Sequence, residues 1–514
     1  MPKNFDASMN AAIVDTVAGK IRGYYFDDTY IFQGIKYADA KRFQMPEPVA
    51  HWDGVKDAWG YGYASLTPFK DRCGEEVTVP HRYWPQSEDC QYINVWTQSL
   101  DPNAKKPVMV WLHGGGFLFG SAVELACTDG LELCKYGDVV TVSLNHRLNI
   151  LGFLDVSAYG DERFANSGNV GLADLVIALE WIRDNIAKFG GDPDNVTIFG
   201  QSGGGGKVCA LLQMPAADGL FHRAVVLSGI HKRRPRPDAA TSKVIVDEML
   251  KDLGIPENEF ERLCDIPYDD LINSYLKKQK ELREEGYDIT GWAPLNNGYY
   301  LGYAREDGFN PHAFKVPTIV CTCFGEHVRH PMLPYKYEMT EEEVMGCLRE
   351  KFGEDADKIA VDFRKAFPEK PLLDVMVMDF STRYGSLDHV AKRSLEKDAA
   401  PVYSCMLAQE FPVNGGRPAW HCADVPFFMH TAMQFPINNF EGAEKLMEEM
   451  CGAFVAFART GDPNGDGLPE WPAFDAETRP TMVFTTDGSR TRYDFDTDIL
   501  EDLKKFDKPF IYPD

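Results

Sequence analysis

The 514-residue sequence predicts an α/β fold with a mostly parallel central sheet flanked by helices. Three observations point there. Short runs rich in Val and Ile alternate with longer helical stretches along the chain. The runs are apolar throughout rather than at every second residue, as in strands buried on both faces. Two of them end in glycine-rich turns.

In chain order, PVMVWL (107–112), VVTVSLN (139–145), NVTIF (195–199), RAVVL (223–227), VPTIVCT (316–322) and PVYSCM (401–406) read as strands, each bounded by Gly, Pro or polar residues. GLADLVIALEWIRDNIAKF (171–189) reads as a helix, because Leu175, Leu179, Ile182 and Ile186 recur at spacings of three or four. KVCALLQM (207–214) reads as the helix that follows NVTIF. Residues 236–315 and 339–398 differ in being charged and helix-like, as in TSKVIVDEMLKDLG and DDLINSYLKKQKELREEG. No flexible linker sets them apart, so the expectation is one α/β domain over 1–514 with two helical cap insertions covering one end of the sheet.

Composition narrows the function. Hydrophobic residues make up 44% of the chain, enough for a large core. The 78 acidic and 53 basic residues give a net charge of −25, which excludes a nucleic-acid partner, since a phosphate backbone attracts basic surfaces. The N-terminal MPKNFDASMNAAIVD has no basic segment followed by an apolar run, and no stretch approaches the roughly 18 apolar residues of a membrane span. A cytoplasmic location follows as an expectation. The twelve cysteines are scattered, and Cys209, Cys321, Cys323 and Cys405 sit in apolar segments, as buried thiols of a reducing compartment do. Cys73 and Cys90 would close a short loop only under oxidising conditions. The Cys321–Cys323 spacing is not a usual zinc pair. The sequon at Asn195 leads into an expected buried strand and is discounted.

NVTIF runs into Gly200-Gln201-Ser202-Gly203-Gly204, a G-x-S-x-G motif between a strand and a helix. Such a turn lifts the serine hydroxyl clear of the sheet, and small flanking residues let the backbone pass closely. A phosphate-binding loop would need Gly at 201 and Ser or Thr after Lys207; the chain has Gln201 and Val208. A second glycine motif, His113-Gly114-Gly115-Gly116-Phe117, follows PVMVWL, where an α/β-hydrolase fold places its oxyanion donors.

Through these motifs the chain resembles the type B carboxylesterases, the family that includes the cholinesterases. Phe32-Gln33-Gly34-Ile35, Arg42-Phe43 and Trp52 resemble its N-terminal segment, and Glu88-Asp89-Cys90-Gln91-Tyr92-Ile93-Asn94-Val95 its acidic-cysteine signature. Asn145-His146-Arg147, Leu151-Gly152-Phe153, Gly168 to Asp174 and Phe189-Gly190-Gly191-Asp192-Pro193 follow in family order, and Phe457 to Asn464 resembles the C-terminal signature. The resemblance spans roughly 11–486. It implies an α/β-hydrolase fold and an ester substrate, with a catalytic triad of Ser202, Glu326 and His421 and no metal or organic cofactor. It also implies that the N–H groups of Gly115, Gly116 and Gly203 hold the oxyanion. Glu326 follows the strand VPTIVCT, and His421 opens His421-Cys422-Ala423-Asp424-Val425-Pro426-Phe427.

Three departures bear on specificity. The family usually has Glu where this chain has Gln201, which removes a charge that favours cationic esters. It usually has Ala where this chain has Gly203, which is expected to keep the N–H donor but loosen the turn. The loop His231-Lys232-Arg233-Arg234-Pro235-Arg236 is basic, and His327, Arg329 and His330 stand near Glu326. Those charges either lie on a solvated loop or pair with the acidic cap, or they meet an acidic or strongly polar group on the acyl side of the substrate. Phe117, Gln201, Arg233, Arg234 and Phe324 are the candidate substrate contacts, and Tyr83, Trp84 and Trp292 are pocket or core aromatics. Two alternatives stay open: a binding protein on the same fold, and thioester or amide cleavage by the same triad. The oligomeric state is not legible.

Overall fold

The computed structural model describes residues 3–68, 80–231, 238–287, 289, 292–465 and 467–507. The chain forms two compact units, Met1–Gly74 with His81–Arg223 and Pro235–Ala313, and Glu75–Pro80 with Ala224–Arg234 and Phe314–Asp514. Among the described residues no helix is long and apolar enough to cross a membrane.

In the first unit the main strands are β1 (Phe5–Asp6), β2 (Tyr24–Phe26), β3 (Thr29–Lys36), β4 (Tyr92–Thr97), β5 (Lys106–Leu112), β6 (Val140–Leu144) and β7 (Gly191–Gln201), in the order β1-β2-β3-β4-β6-β5-β7. The β6-β5-β7 core is parallel, and β4 joins it antiparallel. Continuous apolar runs predict this burial: Val108 to Val110 and Val142 are 0% exposed. Strand β7 starts at Gly191 rather than Asn195, because Gly191 pairs with Lys106 and the polar residues 192–195 fall in a register shift before Val196 meets Val108. Leu112 is in register with Gly200, so the two glycine motifs leave the sheet side by side.

The helices of this unit that bear on the site and its surroundings are α1 (Asn149–Phe153), α2 (Val170–Asn185), α3 (Gly203–Leu212), α4 (Ala239–Asp252) and α5 (Tyr268–Glu284). Helix α2 matches the predicted periodicity, and Asp174 on its inner face holds Arg147 through Oδ1 and Oδ2 at 2.6 and 2.9 Å in a wholly buried pair. The first charged stretch supplies α4 and α5. Their apolar stripes, with Ile245, Met249, Leu271 and Tyr275, bury against Phe43, Ile150, Leu154 and Phe164.

The second unit has β8 (Arg223–Leu227), β9 (Thr318–Cys323), β10 (Val402–Leu407), β11 (Pro480–Phe484) and β12 (Arg490–Tyr493). Strands β8 to β11 are parallel neighbours in chain order, and β12 returns antiparallel on β11. The second charged stretch forms α6 (Glu341–Phe352), α7 (Ala356–Ala366) and α8 (Ser381–Ser394); α9 (Ala443–Thr460) follows β10. Thr340 and Glu343 close a reciprocal capping box on α6, satisfying two otherwise unpaired N–H groups. Helix α8 lies along β9 and β10, where its buried Arg383 meets Asp496 at 2.7 Å. Parallel strands flanked by helices in both units are the α/β architecture expected from the sequence.

Candidate active site

Ser202 sits between β7 and α3 with φ 57° and ψ −123°, a conformation costly for any residue with a Cβ. The turn closes only because its flanks are small. A Cβ on Gly200 would lie 2.5 Å from the Leu112 carbonyl oxygen and 2.6 Å from the Gly204 carbonyl carbon. Helix α3 starts at Gly203, four residues before the expected Lys207, so its unpaired first-turn N–H groups begin directly behind the serine. Ser202 is partly exposed.

The loop after β5 turns through Gly115 (φ 80°) and Gly116 (φ 66°), left-handed conformations that favour glycine. The Gly115 carbonyl accepts from the N–H groups of Leu118 at 3.2 Å and Phe119 at 3.1 Å, and Asn149 braces the loop through Phe117 and Leu118. A Cβ on Gly114 would lie 3.7 Å from the Ser202 Cβ, so the loop passes beside the serine. Any Cβ on Gly203 would fall within 2.5 Å of Gly116 backbone atoms. The expectation from sequence that Gly203 loosens the turn is thus corrected: it lets the loop and the helix meet backbone to backbone. Behind the loop, Lys207 is completely buried and donates to the carbonyls of His113, Gly114 and Gly116 at 2.8, 3.3 and 3.0 Å. His113 and His146 lie 5.2 Å apart, and burial, reinforced by the Lys207 charge, holds both imidazoles neutral.

In the second unit, the turn after β9 brings Glu326 to 2% exposure. Its Oε1 accepts from Ser228 Oγ at 2.6 Å and from the Cys323 N–H at 2.9 Å, and its Oε2 lies 2.5 Å from His421 Nδ1. The His421 N–H in turn donates to the Glu326 carbonyl at 3.1 Å. Burial alone would favour a neutral pair. The hydrogen bond and charge shared by the two groups outweigh it, lowering the carboxyl pKa and raising that of the imidazole. The carboxylate therefore fixes the proton on Nδ1 and leaves Nε2 as the basic nitrogen of an imidazole that is a quarter exposed.

Two more carboxyls lie close by. Burial and the Glu326 charge push Asp424 and Asp379 up to about 7. Asp379 accepts from the N–H groups of Thr382 and Arg383 at 2.8 and 3.0 Å, while the Asp424 carboxyl is fully buried beside the Cys323 thiol. Both groups are thus held towards their neutral form beside the Glu326–His421 pair.

The other candidates divide. Phe117 is 7% exposed and packs edge-on against Phe153 at 5.1 Å; Gln201 is buried, its Oε1 beside Gly114. Phe324 is not a pocket wall: it is 1% exposed and wedged against Phe367 at 5.1 Å and Phe363 at 6.3 Å, because its position at the end of β9 turns the ring under α7. Trp292 packs on Tyr275 at 4.3 Å, whereas Tyr83 and Trp84 are 48% and 37% exposed. Arg233, Arg234 and the rest of the basic loop from Lys232 to Arg236, together with Cys73, lie outside the described residues. His231 Nδ1 is 3.1 Å from Thr382 Oγ1, and the His327 ring stacks on His421 at 5.9 Å. Sequence reasoning missed Ser228, Asp379 and Lys207. Only Lys207 carried a signal, as the single charged residue in the otherwise small and apolar segment that became α3.

Residues 10–499 match the model of the carboxylesterase family. The chain is 31% identical to the para-nitrobenzyl esterase of Bacillus subtilis over 507 residues, covering 93% of this chain and 96% of that protein. It is 30% identical to the phenmedipham hydrolase of Pseudarthrobacter oxydans, over 94% and 97% of the two chains. Among solved structures, an esterase from the anaerobe Clostridium hathewayi, described as able to hydrolyse aliphatic aromatic polyesters, superimposes with a TM-score of 0.93 at 44% identity, over 98% and 100% of the two chains.

Proposed function

This chain belongs to the carboxylesterase family and is a carboxylic-ester hydrolase, and from that premise we propose that it works through an acyl-enzyme on Ser202, with His421 as the base and Glu326 as the acid that orients it. The Ser202 hydroxyl attacks the ester carbonyl as its proton passes to His421 Nε2. Glu326 keeps the other proton on Nδ1 and stabilises the imidazolium. The carbonyl oxygen becomes an oxyanion, taken by the N–H groups of Gly115, Gly116 and Gly203. The C–O bond to the alcohol breaks, and the imidazolium returns its proton to the leaving oxygen. Water then attacks the acyl group by the same proton route, releasing the carboxylic acid and restoring Ser202. Every proton and electron pair in this cycle is accounted for by these residues and water.

The observation that carries the reading is the strained Ser202 backbone, with φ 57°, at a strand-to-helix turn beside a glycine loop. The hydrogen-bonded Glu326–His421 pair supports the assignment of base and acid. The neutral Gln201 argues against cationic esters. The decisive experiment compares hydrolysis of p-nitrophenyl butyrate by the wild type and by Ser202→Ala. Loss of turnover in a folded variant supports the reading; retained turnover moves the chemistry elsewhere.

A second reading concerns substrate class. The structural relative from Clostridium hathewayi is described as acting on aliphatic aromatic polyesters. In this chain Tyr63, Tyr83, Trp84 and Phe119 are exposed on the first unit, and the segment holding Tyr83 and Trp84 is tied to the stretch after the glycine loop by the Arg82 N–H to Glu124 carbonyl bond at 2.6 Å. Aromatic faces of this kind suit a chain with aromatic rings in its backbone. Release of the aromatic diacid from such a polyester film, reduced several-fold in Trp84→Ala while p-nitrophenyl butyrate turnover holds, is the expected outcome. Equal loss on both substrates would discard it.

A further inference from the structure

Lys207 is the one charged side chain of α3, in a helix otherwise built from Gly, Val, Cys, Ala and Leu. It is 0% exposed, and its Nζ meets three carbonyl oxygens, those of His113 (2.8 Å), Gly114 (3.3 Å) and Gly116 (3.0 Å). Three acceptors match the three protons of an ammonium; a neutral amine has two, and its lone pair would face a carbonyl. The Phe117 ring lies 5.7 Å from Nζ, within the range at which a cation is attracted to an aromatic face.

The geometry has a consequence for the N–H groups of the loop. In a trans peptide the C=O of one residue and the N–H of the next lie in one plane and point in opposite directions. The Gly114 carbonyl and the Gly115 N–H belong to the same plane, so drawing the carbonyl in towards Lys207 turns the N–H away from it. The next plane is held separately, since the Gly115 carbonyl accepts from Leu118 and Phe119. The plane after that is held again by Lys207, through the Gly116 carbonyl.

We propose that Lys207 is a positioning residue for ester hydrolysis, its ammonium holding the carbonyls of the His113–Gly116 turn from behind so that the Gly115 N–H is aimed at the developing oxyanion. This rests on the reading that the glycine loop supplies oxyanion donors. Lys207 touches neither substrate nor reacting atoms; it acts through the loop. The titratable groups that face it are His113 and His146, both neutral, and Glu124, whose charge favours the ammonium. Burial draws Lys207 down to about 7 and pushes Glu124 up to about 7, so the clamp is sensitive to pH in the neutral range. Loss of the lysine proton removes one of the three bonds and frees the loop.

The test uses Lys207→Met, which keeps the length of the side chain and removes its charge. With p-nitrophenyl butyrate, kcat is expected to fall about 100-fold with KM within threefold, the signature of a misaimed oxyanion donor. The inhibition constant of a trifluoromethyl ketone, which adds to a serine to form a tetrahedral oxyanion, should rise by a similar factor. A folded variant with kcat within threefold of the wild type would overturn the proposal, as would a change confined to KM. If Lys207→Met does not fold, Glu124→Gln decides. Removing the facing carboxylate should move the alkaline limb of the kcat profile to lower pH, and an unmoved limb overturns the proposal. Ser202→Ala, run in parallel, separates the two levels: full activity there would take down the serine reading and this one with it, whereas an inactive Ser202→Ala beside an unaffected Lys207→Met takes down only the clamp.

Discussion

Replacing Gly203 with alanine inserts one methyl group at the closest approach of α3 and the glycine loop. Its Cβ would fall within 2.5 Å of the N, O and Cα of Gly116, where about 3.0 Å is the working minimum, so the two backbones must part by more than half an ångström. The displaced atoms are backbone on both sides, and no rotamer change relieves them. Overpacking of this kind costs about 1–3 kcal/mol of stability. The effect on turnover is expected to be larger, because the displaced Gly116 N–H is one of the proposed oxyanion donors. An ångström-scale misplacement costs about 100-fold, and loss of one donor about 3–4 kcal/mol in the barrier. Gly203→Ala should therefore lower kcat for p-nitrophenyl butyrate by about 100-fold while leaving the protein folded. Steady-state kinetics and a thermal melt of the same preparation check this. The family usually carries alanine here, which sharpens the test: a variant with kcat within threefold of the wild type would mean that the loop yields freely, and the backbone-to-backbone argument would be wrong.

Two further outcomes follow from the second unit. Glu326→Gln removes the carboxylate whose hydrogen bond and charge do most to raise the His421 imidazole, leaving burial, which lowers it, against the smaller pull of Asp424 and Asp379. Since the base must be neutral, the acid limb of kcat/KM, expected above pH 6.5 in the wild type, should move to lower pH, with kcat down about 10²- to 10⁴-fold; a limb that stays in place refutes the pairing. Asp424→Asn tests the buried carboxyl. Its folded pKa of about 7 lies above the unfolded value of 3.8, so the folded state binds the proton more tightly, and stability falls as pH rises across that window. The asparagine variant should therefore gain more thermal stability at pH 8 than at pH 5, by up to roughly 2–3 kcal/mol; an equal change at both pH values would show that Asp424 does not titrate there.

Strands β5 to β10 and helix α2 were legible because their signals are local: apolar runs of five to seven residues, or a 3.6-residue period, read the same in the chain and in the fold. The glycine motifs were legible because turns at Ser202 and Gly115 demand small residues nearby. Phe324 was misplaced because its neighbours, Phe363 and Phe367, lie about 40 residues away along the chain, and a ring next to a candidate acid looks like a pocket wall until those partners are known. Gly203 was misread for a similar reason. A missing methyl suggests looseness in a sequence, and only the Gly116 backbone opposite turns it into close packing. Ser228 and Asp379 gave no sign, since hydrogen bonds to Glu326 or to a helix start depend on separations of about a hundred residues or on a turn that sequence does not define.

Helix α3 opens with four consecutive glycines, Gly203 to Gly206, in a helix of ten residues. Each glycine disfavours a helix by about 0.8–1.0 kcal/mol relative to alanine, so the segment as a whole resists helix formation by roughly 3–4 kcal/mol. No isolated stretch of this composition would coil by itself. The helix is held instead by its packing on β5 and the glycine loop and by the buried lysine contacts, so it depends on tertiary structure already being in place around it. During refolding, recovery of catalysis should therefore trail recovery of the far-ultraviolet helical signal, most of which the other helices supply.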